Sequence, residues 1–289
     1  MPATETWTVR RLIEWTTSFL DRKGIDSPRL SAEMLLGHVL SLRRIQLYTD
    51  HDRPLATDEL TEFRDLVKRA GEHEPIQYLV GKAYFFNLEL DVEPGVLIPR
   101  PDTETLVEEA IAHLKPVESP TVLDLCTGTG SVALAIAMQI STARVVAVDI
   151  ADEAVALARR NVEKHGLGDR VEVVAGDLFA PVAGCTFDAV VANPPYIATD
   201  QLVGLDRNVR DHEPMLALDG GPDGLDPHRR ILAEADSFLE PGGLLALEIA
   251  FDQGENALAL AQGFPSFTDR QIVRDLARRP RVLTMHLAS

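Results

Sequence analysis

Asparagine, two prolines and a tyrosine stand in a row at Asn193, Pro194, Pro195 and Tyr196, directly after the apolar run Phe187-Asp188-Ala189-Val190-Val191-Ala192. The run is short and β-branched at its centre, and two prolines can neither continue a ladder nor enter a helix interior. It therefore reads as a buried strand ending in a stiff turn. Such a turn suits work on a planar nitrogen. An amide or exocyclic amine is a poor nucleophile because its lone pair is delocalised into a carbonyl or a ring. The side-chain oxygen of Asn193 and the backbone carbonyl of Pro194 can accept its two N–H bonds and draw the nitrogen toward tetrahedral geometry, while Tyr196 stacks on the flat group. An Asn-Pro pair by itself is an ordinary turn, and it is the chain upstream that gives this one its meaning.

Upstream, the strand-like run Thr121-Val122-Leu123-Asp124-Leu125 breaks into Cys126-Thr127-Gly128-Thr129-Gly130, and a helical pattern follows over residues 131–138. Strand, glycine loop and helix start together let backbone N–H groups approach a ligand closely. The next strand-like run ends in Asp149, a carboxylate suited to a ribose diol. A third, Val171-Glu172-Val173-Val174-Ala175, is followed by Gly176-Asp177-Leu178. Acidic residues thus recur at the carboxyl ends of successive strands, where open α/β sheets bind ligands.

Gly128-x-Gly130-x-x-Ala133 also satisfies the nicotinamide dinucleotide fingerprint. A dinucleotide enzyme would need a second mononucleotide half and a separate catalytic domain after about residue 150, whereas this chain places the Asn-Pro-Pro-Tyr turn there. S-adenosyl-L-methionine is the better expectation. It carries no pyrophosphate and asks for acceptors, which Asp124, Asp149 and Asp177 supply.

These features resemble the HemK/PrmC family of class I methyltransferases. The resemblance runs over most of the chain. It includes Glu74-Pro75-Ile76-Gln77-Tyr78-Leu79-Val80-Gly81, the segment from Tyr84-Phe85-Phe86 to Leu97-Ile98-Pro99-Arg100-Pro101-Asp102-Thr103-Glu104, the glycine loop, Asn193 to Tyr196, and Glu213-Pro214 with Gly220-Gly221-Pro222-Asp223-Gly224-Leu225. It implies methylation of the side-chain amide nitrogen (N5) of glutamine in the Gly-Gly-Gln motif of class 1 peptide chain release factors. By the same resemblance Cys126, Thr127, Gly128, Thr129, Gly130, Asp149 and Leu178 contact the cofactor, Asp177 with Leu178 meets the adenine, and Asn193, Pro194, Pro195 and Tyr196 hold the glutamine amide. Asp124 and Asn193 complete the expected cofactor set. Three departures stand out: Cys126 where the family's loop usually has Gly, Ala192 where Ser is usual, and Glu248-Ile249-Ala250 in place of Glu-Ile-Gly. A cysteine at 126 implies a loop without positive φ at that position.

The fold expected is α/β: a Rossmann-like class I methyltransferase sheet over residues 103–289, a helical substrate-recognition domain over residues 1–82, and a β-hairpin connector over residues 83–102. Apolar stripes such as Val9, Leu12, Ile13 and Leu20 mark the helices, with Ser27, Asp58 and Thr103 as candidate caps. Residues 83–98 alternate in strand fashion about Glu93-Pro94-Gly95, a turn signal. Residues 201–227, rich in Gly, Asp and Pro, follow the catalytic turn as a lid or a linker.

The charge of −17, from 45 acidic and 28 basic residues, argues against a large phosphate-backbone contact. This weighs against the main rival, an adenine-N6 DNA methyltransferase, which solves the same chemical problem with a similar turn. The one basic cluster, Arg278-Arg279-Pro280-Arg281, reads as a solvated turn between terminal strands. A third reading, a helical binding module fused to a degenerate cofactor domain, is opposed by intact Asn193, Tyr196 and Asp149. Two cysteines and eight scattered histidines offer neither a disulfide framework nor a metal site. No stretch reaches the roughly 20 apolar residues that span a bilayer, and the opening residues, with Glu5, do not resemble a secretion signal. A cytoplasmic monomer without a metal, a membrane or direct nucleic-acid binding is expected.

Overall fold

Contacts in the computed structural model divide the chain into two compact units, Met1–Lys82 with Asp206–His212, and Ala83–Leu205 with Glu213–Ser289. Residues 6–289 are described, so the amino-terminal reading that rests on Glu5 lies outside the described residues.

The first unit is helical: α1 (Val9–Arg22), α2 (Pro28–Leu40), α3 (Arg44–Thr49), α4 (Thr57–Gly71) and α5 (Ile76–Val80). Val9, Leu12, Ile13 and Leu20 of α1 face one core with Leu35, Leu36, Phe63 and Val67. Their helical spacing explains this, since residues three and four apart share a face. The caps differ from expectation. Ser27 adopts a left-handed φ of 48° and its side chain caps nothing. Asp58 lies in the first turn of α4, where Glu59 reaches back to accept the Ala56 N–H at 2.8 Å, because alanine has no side-chain acceptor of its own. On α2, burial pushes the Glu33 carboxyl up, but donors on Tyr48, Arg44 and Arg29 outweigh it and hold the group below its usual range.

The second unit opens with a hairpin of β1 (Lys82–Phe85) and β2 (Leu88–Asp91). Its turn is Phe86-Asn87, with φ of 47° and 66°, not Glu93-Pro94-Gly95 as the sequence signal suggested. Two successive left-handed residues match the twist of a two-residue hairpin, which a prolyl turn does not. The hairpin is anchored to the main layer: the Asp91 N–H donates to Asn161 Oδ1 at 2.8 Å and Asn161 Nδ2 returns a bond to Asp91 O at 3.1 Å.

The chain then runs α6 (Glu104–Leu114), β3 (Thr121–Leu125), α7 (Ser131–Gln139), β4 (Arg144–Asp149), α8 (Asp152–Lys164), β5 (Val171–Ala175) and β6 (Phe187–Ala192). After α9 (Arg207–Arg210), counted with the first unit, come α10 (Asp226–Glu234), β7 (Leu239–Glu248), α11 (Gly254–Ala261), β8 (Phe267–Arg274) and β9 (Pro280–Leu287). The two terminal strands expected on either side of the basic cluster are β8 and β9, paired with each other along most of their length. Strand order in the seven-stranded sheet is β5-β4-β3-β6-β7-β9-β8, with β9 antiparallel to its neighbours β7 and β8. Alternate residues of the central strands enter opposite cores, Val122 with α6, α7 and α8 and Leu123 and Leu125 with α10 and α11. Burying each such side chain contributes about 1.5–3 kcal/mol. The order reverses at β3, with β4 on one side and β6 on the other, so a crevice forms beyond the carboxyl ends of β3, β4 and β6.

Candidate active site

Strand register delivers the chemistry-bearing residues to one edge. Leu125 pairs with Val148 and with Ala192, Asp149 with Ala175, and Ala192 with Leu247. The residues that follow, Cys126, Asn193 and Gly176, therefore leave the sheet along the edge that holds Asp149, while Glu248 ends β7 on that same edge. A cavity of about 250 Å³ lies there, its wall including Cys126, Thr127, Gly128, Thr129, Asp149, Asp177, Leu178, Asn193 and Pro195.

The loop after β3 is shaped by bonds to buried acids. Thr127 N–H donates to Val148 O at 3.1 Å and Gly128 N–H to Asp149 Oδ2 at 2.8 Å. Asp149 Oδ1 accepts from Ala151 N–H at 3.0 Å, and the Ile150 N–H also bonds this carboxylate, so backbone fixes the group at the cavity wall. Burial raises its pKa while these N–H groups pull it down. Asp124 does not reach the cavity wall. It is 1% exposed, and its Oδ2 accepts from Thr127 Oγ1 at 2.6 Å and Ala133 N–H at 3.2 Å. Burial pushes this carboxyl up to about 7. Asp124 braces the loop from behind.

Cys126 corrects the expectation drawn from its side chain. Its φ is 57°, in the left-handed region, as are those of Gly128 and Gly130. The chain must reverse at once after β3, and the position takes the glycine conformation although it carries a Cβ, at a cost of about 1–2 kcal/mol. The thiol is pushed far up by burial and by Asp149, Asp124 and Asp177, so it stays neutral. Gly130 also lies off the cavity wall. A Cβ there would meet that of Ala158 at 3.3 Å, so its absence lets the loop seat against α8.

At the other wall, Asn193 Nδ2 donates to Thr103 Oγ1 at 3.2 Å. Thr103 was expected to cap α6, but its hydroxyl caps nothing and serves Asn193 instead. Tyr196 turns its hydroxyl away from the cavity wall, to Glu248 Oε1 at 3.2 Å. Pro194 is buried and also off the wall. Gln253 Nε2 donates to Tyr196 O at 2.9 Å, and a Cβ on Gly224, whose φ is 74°, would come within 2.2 Å of that same oxygen. The turn is thus seated from both sides.

Residues 213–227 are ordered. Ile197 N–H donates to Leu218 O at 3.0 Å, Gly220 N–H to Ile197 O at 2.8 Å, and buried Glu213 accepts from Arg100 and from Ile98 N–H. This places Pro214, Leu216, Ala217 and Asp219 on the cavity wall. Among the described residues no helix is long and apolar enough to cross a membrane, and no group of three or more potential metal ligands is present.

Comparison with known proteins places this geometry. A description of the PrmC N-terminal domain matches residues 11–81, and one of the methyltransferase small domain matches residues 102–209. The chain is 44% identical over 256 residues to a release factor glutamine methyltransferase of Geobacter sulfurreducens, covering 89% of each chain. It is 40% identical over 293 residues to that of Chlorobaculum tepidum, covering 98% of this chain and 99% of the other. The chain belongs to the release factor glutamine methyltransferase family. A solved methyltransferase from Pyrococcus furiosus shares the fold, at 19% identity and a TM-score of 0.51 over 71% of this chain and 91% of that one.

Several groups that complete this release factor glutamine methyltransferase site carry weak sequence signals. Thr103 is a threonine at a helix start, which reads as a cap. Glu248 ends an apolar strand and is wholly buried, its carboxyl pushed up to about 7 by burial against the pull of Thr103, Arg281 and Tyr196. Arg281 belongs to the basic cluster read as a solvated turn, yet it is 5% exposed and pairs with Asp102 at 3.0 Å and Asp275 at 3.4 Å. Arg230 bonds Asp177 at 2.7 Å at the cavity wall, so that carboxylate is shared between the protein and any ligand. Apart from Arg281 with Asp275, six residues apart, none of these pairings is local in sequence.

Proposed function

We propose that this chain transfers a methyl group from S-adenosyl-L-methionine to the side-chain N5 of the Gly-Gly-Gln glutamine in class 1 peptide chain release factors. One observation carries the reading: a single cavity is walled by the glycine loop, Asp149 and Leu178 on one side and by Asn193 and Pro195 on the other. The residues suit the cofactor. Asp149 offers acceptors to a diol, Leu178 a flat apolar wall, and the loop backbone allows close approach. Bound there, the cofactor supplies a methyl already activated on a sulfonium sulfur.

The protein's own task is to position and polarise the acceptor. Asn193 Nδ2 is committed to Thr103, which leaves Oδ1 to accept one amide N–H; Pro194 stands off the cavity wall, so its carbonyl takes the other only as the glutamine seats on the turn. Drawing both hydrogens aside localises the nitrogen lone pair, which would then take up the methyl that the bound cofactor supplies. The nitrogen's surplus proton then passes to water, since a protonated amide is strongly acidic. Alignment and exclusion of water do most of the work. The helical unit reads the release factor, because it holds no cluster of catalytic residue types. A release-factor substrate makes the enzyme cytoplasmic, without need of nucleic-acid contact and active as a monomer.

Label transfer from S-adenosyl-L-methionine tests the substrate class. Incorporation into a release factor and none into an adenine-bearing oligonucleotide is expected at any salt concentration. Label in the oligonucleotide as main product overturns the substrate and leaves the fold standing.

A further inference from the structure

Glu248 is fully buried at the carboxyl end of β7, in register beside the start of the Asn193 turn, and no role in the chemistry above calls for a charge there. Its Oε1 accepts from the Tyr196 hydroxyl. Its Oε2 is buried and makes no hydrogen bond among the described residues. Next to it stands Thr103, 3% exposed, whose hydroxyl is among the groups that pull the Glu248 carboxyl down and whose oxygen accepts from Asn193 Nδ2 at 3.2 Å, leaving its single hydrogen for the carboxylate. A buried acceptor without a donor costs free energy, and this hydroxyl is the neighbour placed to relieve it.

We propose that Glu248 and Thr103 are positioning residues that fix which end of the Asn193 amide faces the cavity. The inference rests on the reading that Asn193 Oδ1 accepts a substrate N–H. Burial holds this carboxyl up to about 7, so the relay works above that pH, where the ionised group can only accept and turns the Thr103 hydrogen toward itself. The lone pairs of that hydroxyl then face Asn193 and can be met only by its NH₂ group, so the amide oxygen is presented to the substrate. Polarity is passed along a chain of fixed donors and acceptors, and reversing either link lets the amide rotate and offer a donor where an acceptor is needed. The same carboxylate anchors the far end of the turn through Tyr196. One buried group thereby sets both ends of the four-residue motif.

Three variants and a reference separate this from simple packing. Thr103→Val keeps the shape and removes the hydroxyl. It is expected to lower kcat about tenfold or more while the Kd for S-adenosyl-L-methionine stays within about threefold. Thr103→Ser, which keeps the hydroxyl, should return kcat to within about threefold of the parent. Glu248→Gln should lower kcat, and combined with Thr103→Val should do little further harm, because both break one relay. Asn193→Ala is the reference. If it turns over like the parent, the underlying reading of Asn193 fails. If it is impaired while Thr103→Val is not, or if Thr103→Ser is as poor as Thr103→Val, the relay is overturned and the reading of Asn193 survives.

Discussion

Asp149 and Asp124 sit 25 residues apart at the ends of neighbouring strands, and their surroundings divide their labour. Asp149 lines the cavity with a carboxylate fixed by backbone N–H groups. Asp149→Ala should therefore weaken S-adenosyl-L-methionine binding ten- to a hundredfold, about 1.5–3 kcal/mol, as titration calorimetry would show. Unchanged affinity would remove it from the cofactor site. Asp124 is sealed behind the loop with its carboxyl raised to about 7 by burial, the largest influence on it. Its folded pKa exceeds the unfolded value near 4, so the folded state binds the extra proton between these limits. The contribution of Asp124 to stability is thus fully present below about 4 and is lost as pH rises through about 7. Asp124→Asn keeps one oxygen for both Thr127 and Ala133, and its melting temperature should fall less steeply than the parent's between pH 5 and 8. An equally steep fall would show that the slope arises elsewhere, with Glu248 the next group to test. The placement of Asn193 and Asp149 at strand ends beside one cavity was legible, because an apolar run closed by a turn or an acid marks a strand end. Thr103 and Glu248 were not, because their roles depend on pairings across 90 and 52 residues of chain.

At the scale of elements, the glycine loop shows where residue type misleads. Cysteine at 126 suggested ordinary backbone, yet the tight reversal after β3, the bond from Thr127 N–H to Val148 O and the brace from Asp124 impose φ of 57°. A β-branched side chain tolerates that conformation poorly. Cys126→Val should cost about 1–3 kcal/mol in denaturant unfolding, whereas Cys126→Gly should be neutral or stabilising. A fully stable valine variant would contradict the strained backbone. The hairpin teaches a similar lesson, since Glu93-Pro94-Gly95 is the louder turn signal but Phe86-Asn87 closes the ladder. Strand order and register were out of reach of periodicity, which locates strands without pairing them. Yet register is what sets Cys126, Asp149, Asn193 and Glu248 along one edge.

At the scale of the whole molecule, the proposed division assigns chemistry to one unit and recognition to the other. Every residue on the cavity wall belongs to the unit formed by Ala83–Leu205 and Glu213–Ser289. A protein beginning near Ala83 should accordingly bind S-adenosyl-L-methionine and modify a short glutamine peptide weakly, while losing most activity on an intact release factor. Full activity on the intact protein would show that the helical unit does not read the substrate. The central claim, that the Asn193 turn directs methyl to an amide nitrogen, is tested most directly by mapping the product. After incubation with S-adenosyl-L-methionine and a class 1 release factor, fragmentation mass spectrometry should find one added methyl on the side-chain nitrogen of the Gly-Gly-Gln glutamine, and Asn193→Ala should make it about a hundredfold or more slower, a loss of about 2.7–4 kcal/mol at the reacting centre. Methyl on any other residue, or an Asn193→Ala variant that modifies this glutamine at the parent's rate, would contradict it.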